Sequence, residues 1–203
     1  MPNILMKNQC KNLLKLIALS TLVLGSAVAM EYEAELSPDE LGQLLFEAIF
    51  YPSSTQSMQE LIGRGANIHV QDRFGCSPLF RAAEQAKLEA MDVLIAAGAN
   101  VNHRDKLGNT ILTWIAHYKN NAAVMRLLKV PGIEVNCTEK YGDTPLIVAT
   151  KGGNPATVAA LLDAGANPRA KNWYGCTALS LAQGKGKSEI INLLSKPVKG
   201  RCP

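Results

Sequence analysis

The sequence predicts an all-α solenoid of about five helix-turn-helix units joined by short hairpin-like turns. Three observations lead there. Gly75, Gly108, Gly142 and Gly175 recur at intervals of 33, 34 and 33 residues. Two residues after each glycine stands Ser77, Thr110, Thr144 or Thr177, and two further on stands Leu79, Leu112, Leu146 or Leu179. A second apolar group closes each copy, as Val93-Leu94-Ile95, Leu127-Leu128, Leu161-Leu162 and Leu193-Leu194. Self-similarity at a fixed period of this length is the signature of stacked repeats.

Each element of a copy follows from its residues. Asp72 or Asp105, two variable residues and then glycine make a tight turn, in which glycine can take a positive φ. Ser77 or the equivalent threonine opens a helix as its N-cap, and Pro78 or Pro145 suits the first helical position. Leu79 and Ala82 fall on one face of that helix, with alanines small enough for a close neighbour. A second helix carries Met91, Leu94 and Ile95, and Gly98 stops it in a left-handed cap. Such a unit cannot bury both its faces alone, so it must stack.

The segments GCSPLFRAA, GNTILTWIA, GDTPLIVAT and GCTALSLAQ, with the closing phrases Gly98-Ala99-Asn100 and Gly165-Ala166-Asn167, resemble the ankyrin repeat. That family's phrase is G-x-T-P-L-H-x-A-A followed by L-L-x-x-G-A-x-x-N. Gly75, Ser77, Pro78, Leu79, Ala82, Ala83, Leu94, Gly98, Ala99 and Asn102 fill its places in one copy. Gly142, Thr144, Pro145, Leu146, Ala149, Leu161, Leu162, Gly165 and Ala166 do so in another. The usual histidine is replaced by Phe80, Thr113, Ile147 and Ser180, which removes a hydroxyl–imidazole contact. The third unit ends VPGIEVN, one residue longer, hence the single spacing of 34. The resemblance spans 37–196, with units at about 37–71, 72–104, 105–138, 139–171 and 172–196. The first and last are read as caps. Residues 37–71 lack the turn phrase, but LLFEAI and LIGRGAN match the two helices. The resemblance implies a protein-binding scaffold without chemistry of its own, acting through its concave groove and turn tips. Fold does not fix the partner.

The N-terminus has a different grammar. Lys7, Lys11 and Lys15 precede fifteen uncharged residues from Leu16 to Met30, a run that includes Ala27-Val28-Ala29. A positive start, a short apolar run and small residues at the A-x-A positions read as a secretory signal peptide over 1–29, cut after Ala29. The run is short of the ~20 residues that span a bilayer. The expected destination is therefore periplasmic or secreted. An acidic linker is expected at 30–36 and a basic tail at 197–203. The chain's formal net charge is +4, from 21 Lys and Arg against 17 Asp and Glu. Without the three leader lysines 18 basic residues remain, a net charge of +1. That balance argues against nucleic-acid binding. The 47% hydrophobic content argues against wholesale disorder.

No catalytic constellation stands out, so no enzyme activity and no cofactor are expected. The three histidines are His69, His103 and His117. GKGKS at 184–188 lacks the full phosphate-loop spacing and reads as a solvated loop. His103 and Cys137 occupy one repeat position, but units about 10 Å apart cannot share a zinc ion. Cys76 and Cys176 lie three units apart, beyond disulfide reach. A Cys176–Cys202 link stays open, and mostly free thiols are expected.

The turn tips carry the candidate site. The residue before each glycine is Phe74, Leu107, Tyr141 or Tyr174, and the one before that is Arg73, Lys106, Lys140 or Trp173. Stacking sets these side chains on successive tips as a row of apolar and basic groups, a composition enriched at interfaces. His117 and Tyr118 would extend the row into the groove. Trp114, inside its helix, is read as core. The expected partner is a protein bound by a monomer. An alternative is a periplasmic inhibitor or immunity protein that blocks an enzyme.

Overall fold

The computed structural model describes residues 36–50, 55–118 and 120–196. The leader 1–29, nearly all of the acidic linker, the tail 197–203 and Cys202 lie outside the described residues. The helices are α1 (Pro38–Phe50), α2 (Thr55–Gly63), α3 (Pro78–Glu84), α4 (Leu88–Ala96) and α5 (Ile111–His117). They continue with α6 (Asn121–Leu127), α7 (Pro145–Gly152), α8 (Pro155–Asp163), α9 (Ala178–Gly184) and α10 (Ser188–Ser195). Among the described residues the strand-like pairing is a single bridge between Arg104 and Thr110. The expected all-α solenoid is thus found. Odd-numbered helices stack in one layer, even-numbered helices in a second, and each consecutive pair packs on itself.

Starts and stops of these helices trace to single side chains. The hydroxyls of Ser77, Thr110, Thr144 and Thr177 accept the N–H groups of Phe80, Thr113, Ile147 and Ser180, capping α3, α5, α7 and α9. Two units replace the missing imidazole contact with a hydroxyl. Thr113 Oγ1 lies 3.0 Å from Thr110 Oγ1, and Ser180 Oγ accepts the Thr177 N–H at 3.0 Å to close a capping box. Gly98, at φ +89°, sits just past α4, where a side chain would be strained.

The core is one continuous apolar stack running between units. Leu79, Leu112, Met91, Leu94, Leu127 and Leu161 have no exposed surface, and Leu146 is equally enclosed. Ala82, Ala116, Ala149 and Ala182 are also sealed. Their small side chains let the first-layer helices approach closely. Between units, asparagines replace water on exposed loop backbone. Asn102 accepts the Glu134 N–H at 2.9 Å and donates to Gly132 O at 2.8 Å. Asn136 repeats this one unit on, with the Asn167 N–H at 2.7 Å and Gly165 O at 3.3 Å.

GKGKS serves the fold. Gly186, at φ +62°, turns the chain between α9 and α10. Lys187 then reaches back and donates to Thr150 O at 2.8 Å and Lys151 O at 3.0 Å, satisfying carbonyls in the last turn of α7. Burial at this spot lowers the Lys187 pKa from its usual value.

Leu146→Ala is expected to cost ~2–5 kcal/mol, because it opens a cavity between three helices. Tyr141→Ala, at an exposed tip, is expected to cost under ~1 kcal/mol. Denaturant titration of the two variants against the wild type measures both, and the reverse order would overturn this assignment of core and surface.

Candidate partner-binding edge

Each turn tip is built around one side-chain oxygen. Asp72 Oδ1 accepts the Phe74 N–H at 2.8 Å and the Cys76 N–H at 3.0 Å. Asp105 does the same for Leu107 and Asn109, both at 2.8 Å. Glu139 holds Tyr141 and Asp143, and Asn172 holds Tyr174 and Cys176. The following glycines, Gly75, Gly108, Gly142 and Gly175, all have φ between +73° and +80°. The chain therefore doubles back, and the two residues between the acceptor and the glycine project outward. Neighbouring tips are tied by main chain where Lys106 N donates to Phe74 O at 3.0 Å and Trp173 N to Tyr141 O at 3.1 Å. Arg104 bridges the intervening junction through Gly108 O and Thr138 O.

The tips leave large apolar groups in solvent. Phe74, Leu107 and Tyr141 are about half exposed, while Trp173 and Tyr174 are 76% and 72% exposed. Cations lie over two of the rings. Arg73 is 4.7 Å from the Phe74 centroid with Arg81 at 5.4 Å on the same ring, and Lys140 is 4.6 Å from that of Tyr141. Contact with the Tyr141 hydroxyl holds the Lys140 ammonium above its usual pKa. The Trp173 indole lies across Gly142, where an added Cβ would meet its Cδ1 at 2.6 Å.

Arg81 is committed to the fold. It donates to Asp72 Oδ2 through Nε at 2.8 Å and Nη2 at 2.5 Å, and to Glu84 Oε2 at 2.6 Å. Burial works to raise the Asp72 pKa, but Arg81 and the two backbone N–H groups outweigh it and hold that carboxyl below its usual range.

Arg73, Phe74, Lys106 and Leu107 come together on one cavity of about 300 Å³, shared with Cys76, Phe80, Arg81, Asp105 and Trp114. From this cavity a file of rings runs down the first-layer helices. Phe80 and Trp114 centroids are 6.0 Å apart, Trp114 and Tyr118 5.9 Å, and Tyr118 and His117 5.4 Å. Lys140, Tyr141, Trp173 and Tyr174 stand on the next two tips, outside the cavity.

Two parts of this cavity escaped the sequence reading. Trp114, expected in the core, packs against it half-buried and also forms a wall of the cavity. Its Nε1 is buried with no hydrogen-bond partner among the described residues. A buried N–H left so costs about 1–3 kcal/mol. Phe80, in place of the family histidine, is sealed beneath it. The spacing of Trp114 and Tyr118, four apart at the end of a short helix, was the available signal.

The thiols are free at Cys76, Cys137 and Cys176. Cys137 Sγ lies 3.1 Å from Thr110 Oγ1, and burial raises its pKa. His103 Nε2 lies 2.7 Å from Gly75 O, so that nitrogen carries the proton in this contact. Among the described residues no cluster of His, Cys, Asp or Glu could hold a metal ion, and no helix is long and apolar enough to cross a membrane.

Stacked helix pairs with capped, projecting tips define a repeat scaffold, and comparison with known proteins agrees. The family model described as ankyrin repeats (3 copies) matches residues 45–139 and 114–201. The chain belongs to the ankyrin repeat family. It is 34% identical over 142 residues to the ankyrin repeat protein YahD of Escherichia coli (strain K12), covering 68% of this chain and 71% of that one. It is 36% identical over 88 residues to the human palmitoyltransferase ZDHHC17, 43% of this chain and 14% of the enzyme. It is 30% identical over 127 residues to the human transient receptor potential cation channel subfamily A member 1, 63% of this chain and 11% of the channel. Ankyrin repeats generally mediate protein–protein interaction and are in general non-catalytic.

Burial raises the Cys76 thiol from 9.0 to about 11, so the fold favours its protonated form. The unfolded chain ionises this thiol first, and the stabilisation from keeping it neutral is lost as pH climbs. The stability margin of the wild type over Cys76→Ala should therefore shrink between about pH 8 and pH 11, as measured by urea unfolding at each pH.

Proposed function

We propose that this protein is an exported, non-catalytic binding module that holds a partner protein along its turn tips and adjoining groove. The observation that carries this reading is the row of apolar groups left in solvent on tips that the fold itself makes stiff. Monomers rarely expose such contiguous apolar surface without a use for it. Aromatic anchors beside arginine or lysine are the composition of interface hot spots. The contact residues of this reading are Arg73, Phe74, Lys106, Leu107, Lys140, Tyr141, Trp173 and Tyr174, with His117 and Tyr118 at the far end of the ring file. Pre-ordered tips would spare the partner the cost of immobilising them on binding.

Export rests on the leader lysines, the short apolar run and Ala27-Val28-Ala29. The mature N-terminus is expected at or near Met30. N-terminal sequencing or intact mass of protein from its native host checks this, and retention of 1–29 on cytosolic protein would refute it.

Truncating Leu107 and Tyr141 together to alanine should weaken partner binding by ~2 kcal/mol or more while leaving the melting temperature nearly unchanged. The partner is first captured from the native host, and both quantities are then measured on the same double variant. A large fall in melting temperature with unchanged affinity would end the binding-edge reading.

A further inference from the structure

The cavity between the second and third tips differs in kind from the rest of the edge. It is concave, about 300 Å³, and its walls are Phe74, Phe80, Leu107 and Trp114. That space suits one large apolar side chain. The cations are the rim charges that project into solvent. Arg81 is paired with Asp72 and Glu84, and the Asp105 carboxylate keeps its charge but turns its oxygens to the Leu107 N–H, the Asn109 N–H and the Asn109 amide. Arg73 and Lys106 remain, both exposed. Lys106 uses one proton on Arg73 O and keeps its charge at the rim. The Trp114 ring forms part of the wall.

We propose that this cavity is the specificity pocket of the binding edge and receives an acidic segment of the partner protein. In that segment an aromatic or large aliphatic side chain is flanked by carboxylates. The apolar side chain fills the space between Phe74, Leu107 and Trp114. The flanking carboxylates face Arg73 and Lys106. This rests on the binding-edge reading and goes beyond it by naming the chemistry recognised. A basic or purely polar segment would face two like charges or leave the rings wet.

The test is selection of random linear peptides displayed on phage against the purified protein, with Lys106→Glu protein as the counter-target. Selected sequences should pair an aromatic or large aliphatic residue with Asp or Glu. Synthetic copies should bind Lys106→Glu and Leu107→Ala at least about tenfold more weakly than wild type, and more weakly at high salt. Leu107→Ala changes an exposed side chain, so its fold is expected to survive and is checked by circular dichroism.

Site occupancy is read from the two indole N–H signals in nuclear magnetic resonance spectra. Trp114's signal is the one that persists in Trp173→Phe protein. Saturating peptide should shift the Trp114 signal, because that ring lines the cavity. Failure to enrich any acidic, apolar-anchored sequence overturns the proposal. So does enrichment whose binding ignores Lys106→Glu and Leu107→Ala. If peptides bind, shift only Trp173 and weaken only with Tyr141→Ala, the pocket is wrong while the edge stands. If the captured native partner ignores the Leu107 and Tyr141 truncations, the edge itself is wrong.

Discussion

One oxygen atom per turn tip holds the exposed edge of this molecule in place. In each tip the side chain of Asp72, Asp105, Glu139 or Asn172 takes two backbone N–H groups that no helix or sheet would otherwise satisfy. Without that acceptor the tip backbone would depend on water, and the two outermost residues would lose a fixed direction. With it, bulky groups stand in solvent on a short, closed loop. The tips also reach the helix layer, because the acceptor Asp72 pairs with Arg81 on α3, and Asp143, whose N–H Glu139 holds, pairs with Lys151 on α7. Tip geometry and helix stacking are therefore one construction.

The four tips are built alike but are not equivalent. The first two tips converge on a cavity because Phe80 and Trp114 widen the first-layer surface beneath them. The third and fourth close on each other instead, with Trp173 lying across Gly142. The edge thus has a recessed end and a protruding end. A partner matching both would need a projecting group at one end and a shallow face at the other.

Much of this was legible in the sequence because repetition turns weak local signals into strong ones. A single Gly-x-Thr is a poor predictor, whereas four in step with Leu79, Leu112, Leu146 and Leu179 leave one architecture. The exposed tip residues could be located for the same reason, since position within the repeat fixes position in space. What could not be read were contacts that leave the repeat pattern. Lys187 reaches back 36 and 37 residues to α7 carbonyls, and nothing in GKGKS says so. Trp114 occurs in one unit alone. Its half-burial depends on Phe80 and Tyr118 around it, which is a property of neighbours rather than of helical period.

The Lys187 contact makes the last unit a lock on the one before it. In a linear array the ends open first, and each unit normally surrenders only its shared apolar face. Here the opening of α10 also strips two carbonyls of α7 of their donor, one full unit further in. Opening of α10 is thereby coupled across a longer stretch than the stacking alone would set. The amides of α7 should exchange with solvent in step with those of α10, so that the units of α7 and α10 behave as a single cooperative block.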